Sequence, residues 1–154
     1  MSGKNDCSNC QMTRRKLLGL VGASGLVIIG SQAGCGDPTG SPPTGPVAAG
    51  NVSALAVGAM LAMSNIVVAR DAEGVYAMSG VCTHAGCLLS DTSQTISAGL
   101  YCGCHGSAFD GEGNVTRGPA GTPLQHYAVT IAADGLMTVD GSQPVSAATR
   151  TPVG

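Results

Sequence analysis

From about Val52 onward the chain predicts an all-β fold, and three observations carry that reading. Short runs rich in β-branched, aromatic and other apolar residues alternate with Gly, Asp, Asn and Pro. No stretch of this region sustains the 3.6-residue apolar period of a long amphipathic helix. Several of the intervening segments have the length and chemistry of tight turns between antiparallel strands.

Taken in order, Ile66–Ala69 and Val75–Met78 flank Asp71-Ala72-Glu73-Gly74, a first hairpin. Thr95-Ile96-Ser97 and Leu100-Tyr101 flank Ala98-Gly99, which reads as a second. Ala128–Ile131 and Leu136–Val139 flank Ala133-Asp134-Gly135, a third. Gly-rich loops join the strands.

A core built from these strands is short of bulk. The 154 residues include 24 Gly, 8 Pro, one Phe, three Tyr and no Trp. So little aromatic volume calls for a metal or a disulfide as a staple, and seven cysteines supply candidates. Charge is divided unevenly. Lys4, Arg14, Arg15 and Lys16 crowd the first sixteen residues, whereas from Gly36 onward three basic residues face eight acidic ones, a net −5. No basic stripe is present to displace phosphate counterions, which excludes a nucleic-acid-binding role.

The first fifty residues read as an address and a spacer. Arg14-Arg15 precede the apolar stretch LLGLVGASGLVIIG, in the manner of a twin-arginine export signal. Residues 1–35 are therefore expected to direct the chain to the periplasmic face of the inner membrane. Gln32-Ala33-Gly34-Cys35 resembles a degenerate lipobox, with Cys35 as the lipidated residue. An anchor lipidated at Cys35 is favoured over an uncleaved signal helix, and both over a freely soluble product. Cys7-Ser8-Asn9-Cys10 is a C-x2-C pair that precedes the signal, with no second pair to complete a site. It is read as incidental to the mature protein. Residues 36–50 (GDPTGSPPTGPVAAG) read as a semi-rigid tether, leaving 51–154 as the folded domain.

Two segments carry the chemistry: Cys82-Thr83-His84-Ala85-Gly86-Cys87 and Cys102-Gly103-Cys104-His105-Gly106-Ser107. Each follows a predicted strand. Together they hold all four cysteines of the domain and two of the chain's three histidines. Thiolates and imidazoles converging from two loops suit a metal site. Met60, Met63 and Met78 are expected to be packing residues and His126 a surface residue rather than ligands. No paired carboxylates, phosphate-cradling loop or nucleophile–base arrangement suggests a catalytic site.

The pattern C-T-H-x-G-C followed by C-x-C-H-G-S resembles the signature of the Rieske iron–sulfur family. The likeness continues through Phe109-Asp110, Gly113-Asn114-Val115, Gly118-Pro119-Ala120, Pro123-Leu124 and Tyr127-Ala128-Val129, over roughly the last hundred residues. It implies an antiparallel β-sandwich with a small subdomain of two loops binding one 2Fe–2S cluster. By position, Cys82 and Cys102 would hold the inner iron, and His84 and His105 the outer, more exposed one. Imidazoles in place of two thiolates raise the reduction potential. The likeness also implies a disulfide between Cys87 and Cys104, which an exported protein would retain. Ser107 matches a serine that donates to a cluster sulfide, and Gly118-Pro119-Ala120 matches a loop covering the cluster. Phe109 stands where respiratory relatives carry Tyr, which implies a lower potential.

The function implied is one-electron transfer, proton-coupled through the outer imidazoles, in a membrane-tethered component of a quinol or other respiratory oxidoreductase chain. Candidate partners are a cytochrome of b or c type, a molybdenum oxidoreductase, or quinol itself. Ala85 replaces the Leu common at the docking tip of quinol-oxidising relatives, and Gly103 replaces a Pro. Both changes shrink the apolar surface around the imidazoles. Two other classes use related residues: a structural zinc protein, because Cys2His2 is also a zinc set, and the ferredoxin component of a ring oxygenase, whose members typically lack the extra cysteine pair.

Overall fold

The computed structural model describes residues 40–89 and 93–154. The predicted signal, Cys35, Cys7 and Cys10 lie outside them. Ten strands follow one another: β1 (Pro46–Asn51), β2 (Ala59–Met63), β3 (Ile66–Arg70), β4 (Val75–Ser79), β5 (Ser93–Thr95), β6 (Leu100–Tyr101), β7 (Ala108–Phe109), β8 (Val115–Arg117), β9 (His126–Ile131) and β10 (Leu136–Val145). Two single-turn 3-10 segments, Val52–Ala54 and Ile96–Ala98, are the helical elements among the described residues. None of these is long and apolar enough to cross a membrane.

Seven strands form one antiparallel sheet in the order β1-β10-β9-β4-β3-β2-β5, and β6-β7-β8 form a second, small one. Two strands of the large sheet explain the rest. β3 and β4 are apolar over their first four residues rather than alternating, before ending in Arg70 and Ser79, and nearly every residue in them is buried. Such continuity means that both faces are covered. Because side chains alternate across a strand, Ile66, Val68, Val75 and Ala77 join one core with Ala49, Val129 and Val139. Val67, Ala69, Tyr76 and Met78 join a second core with Cys82, Cys102, Phe109 and Leu124. The first core draws on β1, β3, β4, β9 and β10 of a single sheet, which therefore curls around its own apolar face. The second clamps the loop subdomain onto the outer face of that sheet. At ~1.5–3 kcal/mol per fully buried large apolar side chain, this second interface, with Tyr76 and Phe109 as its bulkiest members, rigidly carries the loops.

The first and third predicted hairpins form, as β3–β4 and β9–β10. The second does not. β5 pairs with β2 and β6 with β7, so the chain crosses between sheets through the 3-10 turn at Ile96–Ala98. The apolar residues on either side of Ala98-Gly99 therefore serve different sheets. A second correction concerns the tether. β1 begins at Pro46 and pairs with β10, inside the stretch read as a spacer. It is an edge strand needing little bulk: Ala49 is its one fully buried side chain, and its ladder is made by backbone groups. Composition alone hides such a strand. Met60 and Met78 are core residues, as expected.

Candidate metal centre

The two Cys/His segments are the tips of two hairpin-like projections. A bridge between Val81 and Leu88 closes the base of the first, and the pairing of Tyr101 with Ala108 closes the second. Their backbones are congruent. The Cys82 N–H donates to the Cys87 carbonyl (2.8 Å) and the Gly86 N–H to the Cys82 carbonyl (2.9 Å). In the second loop, Cys102 N–H donates to Ser107 (2.8 Å) and Gly106 N–H to Cys102 (3.0 Å). Gly86 and Gly106 both sit at positive φ, 78° and 81°, a conformation that glycine adopts without steric cost. This explains why both motifs carry Gly four residues after the first Cys.

The shared frame sorts the side chains. The leading cysteines, Cys82 and Cys102, are free and buried. His84 and His105 are exposed, with ring centroids 4.8 Å apart and planes at 82°. Cys87 and Cys104 are joined by a disulfide linking the two loops. Burial pushes the Cys102 thiol above its ordinary range, and the adjacent Cys82 thiol adds to the rise; the amides of Cys104 and His105, hydrogen-bonded to its sulfur, pull the other way. Those amides are placed to support a thiolate once a metal replaces the proton.

Ser107 is fully buried and accepts a hydrogen bond from the Ala120 amide (3.0 Å), leaving its own O–H to donate. The loop at Gly118-Pro119-Ala120, whose Gly118–Pro119 peptide is cis, is thereby tied to the second projection. The Thr83 hydroxyl donates to the Thr122 carbonyl (2.7 Å), tying the same loop to the first. Thr83 belongs to the motif, but its hydroxyl was assigned no role from sequence. Phe109 is buried in the same core as both free cysteines. Ala85 and Gly103 are exposed, and a Cβ on Gly103 would meet open space.

One site residue is corrected. His126 is buried, not superficial. It stacks on Tyr76, its Nε2 lies 2.9 Å from the Glu112 carbonyl oxygen, and Arg150 covers the Tyr76 ring at 3.9 Å. Arg150 also pairs with Asp71 and Glu112. The signal missed was periodicity: His126 opens β9 beside Met78 of the fully buried β4.

The donor set bears on which group fits. Among the described residues, the one trio of ligating side chains within reach of a single ion is Cys87, Cys102 and Cys104, with sulfurs inside 4.8 Å. Two of these are spent in the disulfide, so the trio cannot supply three thiolates to zinc. Two free buried thiols and two exposed imidazoles remain, a set suited to a two-iron cluster with chemically distinct ends.

Comparison with known proteins agrees. The Rieske [2Fe-2S] domain matches residues 45–128, more than half of the chain. The chain belongs to the Rieske family. Its cofactor is one Rieske-type 2Fe–2S cluster. The Rieske match begins at residue 45, beside the start of β1. Relatives include the cytochrome b6-f complex iron-sulfur subunits of Synechococcus sp. (strain CC9605), 38% identical over 71 residues, and of Chlamydomonas reinhardtii, 37% identical over 73. These alignments cover 46% and 47% of this chain and only 39% and 34% of the relatives. Among solved structures, the quaternary ammonium Rieske monooxygenase CntA shares the fold at a TM-score of 0.50 and 17% identity, covering 62% of this chain and 32% of that one. The plasma-membrane Rieske protein PetC3 from Synechocystis PCC 6803 is 26% identical with a TM-score of 0.47, over 60% of this chain and 97% of that one. The Rieske protein described here is nearly all β.

Proposed function

We propose that this Rieske protein passes single electrons through its exposed imidazole edge, with Cys82 and Cys102 holding the inner iron and His84 and His105 the outer one. The observation that carries the reading is the partition of the four donors: both free thiols are buried and both imidazoles are exposed. The bound cluster supplies one-electron redox chemistry. The chain does the rest. Its buried thiols keep one end of the site away from water, and the congruent loops fix the ligands before binding. The Cys87–Cys104 bond holds the two loops at a set separation, and the Ser107 hydroxyl is free to donate toward the cluster's sulfur. Exposed imidazoles put the outer edge within reach of a partner without any opening motion.

A disulfide between the loops favours an oxidising compartment. Together with the twin-arginine-like segment and the likeness to membrane-complex subunits, this supports a protein tethered at the periplasmic face through Cys35 or an uncleaved signal helix. It would accept electrons from quinol or another donor and deliver them to a cytochrome. Spectroelectrochemical titration of the full-length protein tests the core of the reading. A reddish-brown protein that titrates with one electron per chain is expected. A colourless preparation containing one zinc would overturn it.

A further inference from the structure

The described residues hold three basic side chains, and two of them are engaged. Arg70 donates to the carbonyls of Val52 and Leu55, and Arg150 pairs with Asp71 and Glu112. Arg117 alone among them is exposed and without an ion pair or hydrogen bond. Its position is informative. On the small sheet, Tyr101 pairs with Ala108 and Ala108 with Arg117, so the three form one cross-strand row. The neighbouring row, Leu100, Phe109 and Val115, faces the core. The Tyr101 row therefore faces solvent, and Tyr101 is 59% exposed, one of three large apolar side chains so placed among the described residues.

This row adjoins the imidazole tip at both ends. Tyr101 directly precedes Cys102, and its hydroxyl lies 3.5 Å from where a Cβ on Gly106 would stand, beside His105. Arg117 directly precedes the Gly118-Pro119-Ala120 loop. The tip also differs in charge from the rest of the domain. Residues 81–89, 100–108 and 115–125 contain no carboxylate, although the chain from Gly36 onward is acidic overall. A fixed cation on a tip free of negative charge, in a domain acidic elsewhere, orients the molecule in the field of an approaching anion.

Building on the electron-transfer reading above, we infer that the row Tyr101–Ala108–Arg117 is the docking surface for a protein redox partner with an acidic face around its own redox centre. A carboxylate of that partner would meet Arg117, and an apolar or planar group would cover Tyr101, a residue type favoured in interface centres. Charge complementarity at the tip selects this occupant, even though the net charge of the domain would favour a basic one. An anionic bilayer is a weaker fit, since a single surface cation contributes only ~1 kcal/mol there.

Stopped-flow oxidation of the reduced, full-length, cluster-loaded protein tests this, with an acidic and a basic single-haem c-type cytochrome as probes. The acidic cytochrome should react faster, and its rate should fall as salt rises. Arg117→Glu should slow that reaction by about tenfold and speed the basic one, and Tyr101→Ser should slow the acidic reaction several-fold. In both variants the visible spectrum and potential should stay unchanged. A faster basic cytochrome, an unreactive acidic one, or no effect of Arg117→Glu would overturn the inference. Binding to phosphatidylglycerol vesicles that is lost in Arg117→Glu would reassign the row to the membrane and equally overturn it. Absence of a cluster spectrum in the parent protein would instead refute the electron-transfer reading itself.

Discussion

The ring of His84 meets that of His105 edge to face, their centroids 4.8 Å apart, at the exposed end of two loops whose leading cysteines are buried. The two histidines come from separate loops, 21 positions apart, that repeat one backbone frame. In that frame the position two residues after the leading Cys is His84 in one loop and Cys104 in the other. The position five residues after it is Cys87 in one and Ser107 in the other. One backbone frame thus begins on a buried free cysteine in both loops and presents an exposed imidazole, a disulfide cysteine or a buried serine at its later positions.

Removal of the cross-link should weaken the protein more than it alters the ligands. Cys87 and Cys104 are separated by 17 positions, and closing a loop of that size removes about 3 kcal/mol of unfolded-state freedom. Cys87→Ala with Cys104→Ala should lower the melting temperature by at least several degrees. Calorimetry of the cluster-loaded protein, with and without a thiol reductant, measures this. The double variant should no longer respond to the reductant.

Ser107→Ala should act twice. It strips the buried Ala120 amide of its acceptor, at a cost of ~1–3 kcal/mol. On the proposed reading it also removes the hydroxyl that would donate toward cluster sulfur, so the potential should fall. A hydrogen bond worth ~1 kcal/mol between oxidation states moves a one-electron couple by about 40 mV. Protein-film voltammetry together with a denaturation curve separates the two effects.

Phe109→Tyr is expected to shift the potential the other way. Phe109 is buried in the same core as Cys82 and Cys102, and on the proposed reading a new hydroxyl there would have a cysteine sulfur as its acceptor. A rise of tens of millivolts, ~40 mV by the same conversion, should appear in a redox titration. An unchanged potential would mean that the hydroxyl bonds elsewhere.

Arg150 should matter to stability in a pH-dependent way. Burial works to raise the Asp71 carboxyl, but the Arg150 side chain and the amides of Glu73 and Gly74 outweigh it, and the net shift is downward. A lowered carboxyl stabilises the fold above its unfolded value near 3.8, and that contribution is lost as pH falls through the folded value. Arg150→Met should therefore cost about 1–2 kcal/mol at neutral pH. Part of that cost should disappear below pH ~4, where the parent protein loses the same contribution. Urea denaturation at neutral and acidic pH measures both.

The loops were legible in sequence because metal-binding residues are dense and their spacing is strict: Cys82, His84, Cys102, His105 and the Cys87–Cys104 pair all stood out. Strands β3 and β4 were legible because two-sided burial gives each a run of four apolar residues. β1 was not, since an edge strand paired by backbone groups with only Ala49 buried resembles a linker in composition. The false hairpin at Ala98-Gly99 arose because local turn chemistry does not state which sheet a strand will join. His126 was misplaced because its burial depends on Tyr76, Glu112 and Met78, all distant in sequence. The network of Arg150 with Asp71, Glu112 and Tyr76 spans 79 positions and leaves no local trace.

The central claim is that His84 and His105, with Cys82 and Cys102, hold the cluster. Pulsed EPR of the reduced full-length protein tests it most directly, read alongside iron and acid-labile sulfide analysis. The account predicts two irons and two sulfides per chain, a rhombic signal, and couplings from two imidazole nitrogens. The couplings should be disrupted, or the cluster lost, in His84→Cys and in His105→Cys, and retained in His126→Gln. Two nitrogen couplings that survive in either of the first two variants, or a chain that holds zinc and no sulfide, would contradict it.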